Sequence, residues 1–162
     1  MSRIAIIPAR GGSVRLPNKN IIDFLGKPII SYTINAALEA DVFDEVVVST
    51  DSHDIADIAR TYGAAISMRG DDLSDGTARV SDVCVDLLEK KAREGWLYAN
   101  FAVLYATAPL RNADDIKYTV DLIEPDICHS AVAVCDFDLP VQQALTLNKS
   151  GQAIPAFPEL VK

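Results

Sequence analysis

The chain has 162 residues, 49% of them hydrophobic, and a formal net charge of −8. That length suits one domain with a real core, and the acidic surplus excludes a nucleic-acid-binding surface spread over the whole protein. No apolar run reaches the roughly 18 residues of a membrane span, and the chain opens on a strand-like segment rather than a charged leader, so a cytoplasmic protein is expected.

In chain order, apolar runs of strand length alternate with helical patterns. Ile4 to Ile7 predicts a buried strand over about 3–8, running into a loop of glycines and cations. A helix is expected over about 28–40, with Pro28 in its first turn and an apolar stripe of Ile29, Ile30, Ile34, Ala37 and Leu38. Strands over about 45–50, 64–68 and 101–105 interleave with helices over about 53–62, 78–94 and 112–123, the last capped by Asn112. A further strand is expected over about 128–135, then a hairpin turning at Asn148 to Gly151 and a Pro-containing tail. Cys84, Cys128 and Cys135 lack C-x-x-C spacing and read as reduced thiols, the first two in apolar surroundings typical of buried ones. Such βαβ repetition predicts one α/β domain over 1–162, a mainly parallel sheet with helices on both faces in three layers. Ligands of such sheets bind beyond the carboxyl ends of the strands, where the loops after Pro8, Thr50, Met68 and Tyr105 emerge.

The loop after the first strand carries the strongest functional signal. Gly11 and Gly12 let backbone N–H groups approach an anion, and residues 1–27 hold Arg3, Arg10, Arg15, Lys19 and Lys27 against Asp23 alone. A triphosphate needs such a site; the bland alternative is a glycine turn with solvated cations. Neither GxxxxGK[ST] nor GxGxxG is present, so a P-loop NTPase and a dinucleotide-binding dehydrogenase are not supported.

The string IPARGGSxRxPxKN, Ile7 to Asn20, resembles the opening motif of the CMP-sialic acid synthetase family, cytidylyltransferases that activate nine-carbon acidic sugars. Residues 24–30 (FLGKPII), 46–51 (VVVSTD) and 105–111 (YATAPLR) resemble its later signatures in the same order. The resemblance implies a Rossmann-like nucleotidyltransferase fold in which a sugar hydroxyl attacks the α-phosphorus of CTP, releasing pyrophosphate with the help of Mg²⁺. It implies catalytic roles for Arg10 and Lys19, and nucleotide contacts from Ala9, Gly11, Gly12, Ser13, Arg15, Asn20 and Arg69. Tyr105 and Thr107 take the family's sugar-side positions. The metal ligands are unknown, because the family's metal-binding carboxylates belong to a segment beyond residue 162, after a dimerisation element; a homodimer is implied for the full-length form.

Particular positions keep other readings open. Arg69 is followed by Gly70 where the family has proline, and a surface ion pair is its alternative role. Asp51 reads first as a cap for the next helix, with a nucleotide role as its alternative, and Thr77 or Ser81 as helix-start residues that could also reach ribose or phosphate. Tyr105 stands where the sialic acid enzymes usually have glutamine. YATAP and the segment 138–145 (DLPVQQAL) resemble the pseudaminic acid cytidylyltransferase branch, unless Tyr105 simply packs in the core. His53 and His129 lack ligand-spaced partners and are assigned neither metal nor base. A CMP-Kdo synthetase, from Arg15-Leu16-Pro17, and a non-catalytic CTP-binding domain are the alternatives to a sialic-acid-type cytidylyltransferase.

Overall fold

The structure, a computed structural model, describes residues 2–13, 16–73, 78–124, 126–136 and 141–160. The chain forms two compact units, Met1–Ala131 and Val132–Lys162. In the first, β1 (Arg3–Pro8) is followed by the short strands β2 (Asp23–Phe24) and β3 (Lys27–Pro28), α1 (Ile29–Glu39), β4 (Glu45–Thr50) and α2 (His53–Thr61). β5 (Ala65–Met68), α3 (Val80–Arg93), β6 (Asn100–Val103) and α4 (Ala113–Asp121) complete it. The smaller unit contains a hairpin of β7 (Leu145–Leu147) and β8 (Ala153–Pro155), paired antiparallel.

A fully parallel sheet in the order β5-β4-β1-β6 lies at the centre of the larger unit. Its strands are apolar on both faces, and the register explains why. Ala5, Ile7, Val46 and Val48 point into a core shared with Ile30 and Ile34 of α1, Ile55 and Ala59 of α2 and Ile116 of α4. Ile4, Ile6 and Val47 point the other way, against Cys84 and Leu87 of α3. Helices therefore cover both faces, as the βαβ alternation requires. Burying each isoleucine or leucine side chain of these layers contributes about 1.5–3 kcal/mol, the gain that makes the alternation of faces binding on the chain.

Local devices set the element ends. Asn112 caps α4 by accepting from the Asp115 amide at 2.8 Å, and Asp115 reciprocates to the Asn112 amide at 3.3 Å. Pro28 is not in the first turn of α1: it stands one residue before it, at φ −57° and ψ 131°, as the end of β3. The β2–β3 turn, with Leu25 and Gly26 both at positive φ, escapes the sequence reading because only Gly26 is a residue suited to that conformation.

No strand forms at 128–135 among the described residues. Cys128 makes one isolated bridge with Glu124, and 129–136 has no regular pairing. Cys84 is buried as expected, whereas Cys128 is only half-buried and Cys135 exposed, because the strand that would have buried them is missing.

At the starts of the strands, Glu45 accepts from Lys91 Nζ and from the Tyr98 hydroxyl, each at 2.6 Å. Partial burial, together with this hydrogen bond and the Glu45 charge, raises the Tyr98 pKa above its ordinary value. A group whose pKa is higher folded than unfolded adds stability at pH values below the unfolded pKa, near 10 for tyrosine, and that stability is lost as pH rises further. Tyr98→Phe is expected to cost about 1.5–3 kcal/mol at neutral pH, the range for a hydrogen bond to a charged group. Urea denaturation checks it, and the gap between variant and wild type should narrow above about pH 10.

Candidate functional site

The sheet order places β6 on the opposite side of β1 from β4, so the crevice between the ends of β1 and β6 is the topological switch point at which such sheets bind ligands. The glycine loop leaves β1 on one side of it. The loop carrying Tyr105 and Thr107 leaves β6 on the other, anchored where Thr33 Oγ1 of α1 donates to the Tyr105 carbonyl at 3.1 Å.

The glycine loop is held by bonds from three directions. Ala9, fully buried, donates its amide to the Ser49 carbonyl at 2.9 Å, so that N–H is not available to a base edge. The buried Asn20 donates Nδ2 to the Arg10 carbonyl at 2.8 Å, closing the 16–20 turn back onto the start of the loop. Gly11 donates its amide to Asp51 Oδ1 at 2.7 Å. A Cβ on Gly11 would lie 2.9 Å from Ser52 Cβ, so glycine is required there by close approach of the start of α2. Asp51 does not cap α2; that position is taken by Ser52, whose Oγ accepts from the Ile55 amide at 3.5 Å.

The three amides expected to cradle phosphate differ in availability. Gly11's is committed to Asp51, and Ser13's to the Gly11 carbonyl at 2.9 Å. The amide of the exposed Gly12 makes no hydrogen bond to a described residue. Arg10 and Lys19 form no ion pair among the described residues, in contrast to Arg3, Arg60, Lys90, Lys91 and Arg93.

Arg69, just past β5, does not enter an ion pair among the described residues either. Its Nη2 donates to the Ser49 carbonyl at 2.6 Å and its Nε to Ser49 Oγ at 3.1 Å, while its own amide bonds the Thr50 carbonyl at 2.9 Å. Nη1 is left without a bond to a described residue. Burial lowers the Arg69 pKa; nearby Asp51 opposes this and Arg10 reinforces it, which brings the three charges into one neighbourhood. Ser49 therefore serves the amide of Ala9 and the guanidinium of Arg69 with one carbonyl.

On the β6 side, Tyr105 is 56% exposed and so is not a core residue; Thr107 is exposed as well. Arg111, which the sequence reading quoted without a role, sits in the same loop. Its Nη1 is shielded from solvent and hydrogen-bonds to no described residue, and burial lowers its pKa against the opposing charge of Asp115. Arg15, Thr77 and residues 138–140 lie outside the described residues. Among the described residues no group of three or more His, Cys, Asp or Glu side chains could hold a metal ion, and Asp51, the carboxylate at the loop, is already engaged. The described residues thus hold no cluster of carboxylates for Mg²⁺.

The profile of the cytidylyltransferase family matches residues 4–127. The chain is 43% identical, over 94% of its length, to a pseudaminic acid cytidylyltransferase of Campylobacter jejuni, of which it covers 66%. It is 37% identical, over 99% of its length, to a CMP-N,N'-diacetyllegionaminic acid synthase of Legionella pneumophila, of which it covers 68%. Its fold resembles that of a CMP:2-keto-3-deoxy-manno-octonic acid synthetase complexed with CTP, with a TM-score of 0.64 and 26% identity, over 75% of this chain and 46% of that one. The chain thus spans about two thirds of the length of these curated relatives.

The two glycines should respond differently to a methyl group. Gly11→Ala is expected to destabilise by about 1–3 kcal/mol, the cost of overpacking against the Ser52 Cβ, whereas Gly12→Ala, with nothing within 4 Å of its added Cβ, should stay within about 0.5 kcal/mol of wild type. Thermal denaturation of both decides it; equal midpoints would contradict the close packing of the loop on the start of α2.

Proposed function

Because the chain belongs to the cytidylyltransferase family, we propose that it binds CTP at the carboxyl edge of its sheet and transfers the cytidylyl group to a nonulosonic acid sugar. The observation that carries this reading is the glycine loop, fixed by Ser49, Asp51 and Asn20, with Arg10 and Lys19, which form no ion pair among the described residues, beside it at the switch point.

The sugar's anomeric hydroxyl oxygen attacks the α-phosphorus of CTP. A new P–O bond forms, the bond to the bridging oxygen of the β-phosphate breaks, pyrophosphate leaves, and the hydroxyl proton passes to solvent. Charge neutralisation and positioning carry such a displacement. Arg10 and Lys19 face the triphosphate, the Gly12 amide gives it a backbone donor, and Arg15 adds a third cation. Asn20 orients the loop. Arg69, held through two of its nitrogens, offers Nη1 to the nucleotide in a fixed direction. Mg²⁺ would come with the phosphates, retaining most of its water and needing few protein ligands. The protein works in the cytoplasm, where CTP is available, and it acts as a homodimer.

For the acceptor, Tyr105 gives the crevice a flat apolar wall with one hydrogen-bonding tip, and Thr107 a hydroxyl. That surface suits a methyl-bearing deoxy sugar better than a fully hydroxylated tail. Pseudaminic acid is therefore the first choice, in keeping with the name of the Campylobacter relative.

Calorimetry with Mg²⁺ should show CTP bound more tightly than ATP, and equal or better ATP affinity would sink the cytidylyl assignment. Arg10→Ala and Lys19→Ala should each cost about 2–4 kcal/mol in kcat/KM, mostly in kcat, the scale of a preorganised charge contact. Pyrophosphate release with CTP, Mg²⁺ and a panel of pseudaminic, N-acetylneuraminic and 3-deoxy-manno-octulosonic acids tests the acceptor. The highest kcat/KM is expected for pseudaminic acid; N-acetylneuraminic acid at or above it overturns that choice. CTP binding with no pyrophosphate from any acceptor would instead mark the chain as a CTP-binding domain.

A further inference from the structure

We infer that Asp51 is a positioning residue for the triphosphate loop, acting through the Gly11 amide and not by capping α2 or holding a metal. This rests on the CTP reading above but concerns a residue that reading leaves without a role. Ser52 already caps α2, and Asp51 belongs to no metal-holding group among the described residues. What Asp51 does is accept from Gly11 N–H at 2.7 Å, at the point where Gly11 has no room for a side chain against Ser52.

That bond has a chemical consequence. A carboxylate occupies the one glycine amide that points back at β4, so Gly11 N–H is withheld from the nucleotide and the loop's backbone donor is Gly12. A negative group beside a triphosphate opposes binding unless something offsets it. Arg69 and Arg10 stand in the same neighbourhood, and the Asp51 charge is felt at the Arg69 guanidinium. The useful part of Asp51 is therefore its oxygen as an acceptor, and its charge is the tolerated part.

The two parts separate by substitution. Asp51→Asn keeps an Oδ1 acceptor for Gly11 N–H without the charge; Asp51→Ala removes both. Amide hydrogen exchange at Gly11 and calorimetric CTP binding, with Mg²⁺, are measured on wild type and both variants. In wild type and Asp51→Asn the Gly11 amide should be protected and CTP affinity equal, or up to about threefold tighter in the variant, where a repulsion is relieved. In Asp51→Ala protection should be lost and CTP binding weakened by about tenfold or more, the factor for roughly 1.4 kcal/mol. An Asp51→Ala variant that binds CTP like wild type, or an Asp51→Asn variant as impaired as the alanine, overturns the inference; the second result would mean that the charge itself is needed. Wild type that fails to bind CTP sinks the functional reading instead, and the Gly11 exchange comparison still decides whether Asp51 holds the loop.

Discussion

When β1 pairs in parallel with β4, Pro8 falls opposite Ser49, and each later contact of the site follows from that rung. The next amide along, Ala9, reaches the Ser49 carbonyl; two residues on, Gly11 reaches Asp51. The β4–β5 pairing brings Arg69 to the same carbonyl from the other side. A slip of one residue in the β1–β4 register would exchange the two apolar faces of the strand, and the alternation of Ile4 and Ile6 with Ala5 and Ile7 between opposite cores resists such a slip. Hydrophobic layering thus fixes, several residues away, the geometry of a polar loop.

The fold was legible where one signal was strong enough to stand alone. Ile4 to Ile7 and Val46 to Val48 are runs that only a doubly covered strand uses, and the expected boundaries of β1 and β4 are those the structure has. The same reasoning failed at 128–135, where Val132 and Val134 supply β propensity but nothing in a single sequence says whether a partner strand lies alongside. It also passed over β2 and β3, which are too short for periodicity and rest on a two-residue turn.

The site was legible as residue types and not as bonds. Gly11, Arg10, Asn20 and Arg69 could be named from their chemistry and from the family resemblance, yet their partners come from elements 10 to 40 residues away. Asp51 illustrates the gap: followed by a helix, an aspartate reads as a cap, and only the register that sets it beside Gly11 reveals otherwise. Arg111 went unassigned for the same reason, since burial of one guanidinium nitrogen depends on how the loop after β6 folds.

The two edges of the sheet treat polar groups in opposite ways. At the strand starts Glu45 takes both Lys91 and Tyr98, so each of these polar groups has a partner. Arg3 Nε is the exception there, on a guanidinium that already faces Asp121 at 3.7 Å. At the strand ends the groups without a partner among the described residues are donors: the Gly12 amide, Arg69 Nη1 and Arg111 Nη1, with Arg10 and Lys19 outside any ion pair among them. Of these, Arg111 Nη1 is shielded from solvent, and a shielded donor without an acceptor is costly in a fold that serves stability alone. Gathered at one edge, and all of one polarity, they match an anion rich in oxygen acceptors. The stability forgone there is the preorganisation that a charge-dispersing transition state uses.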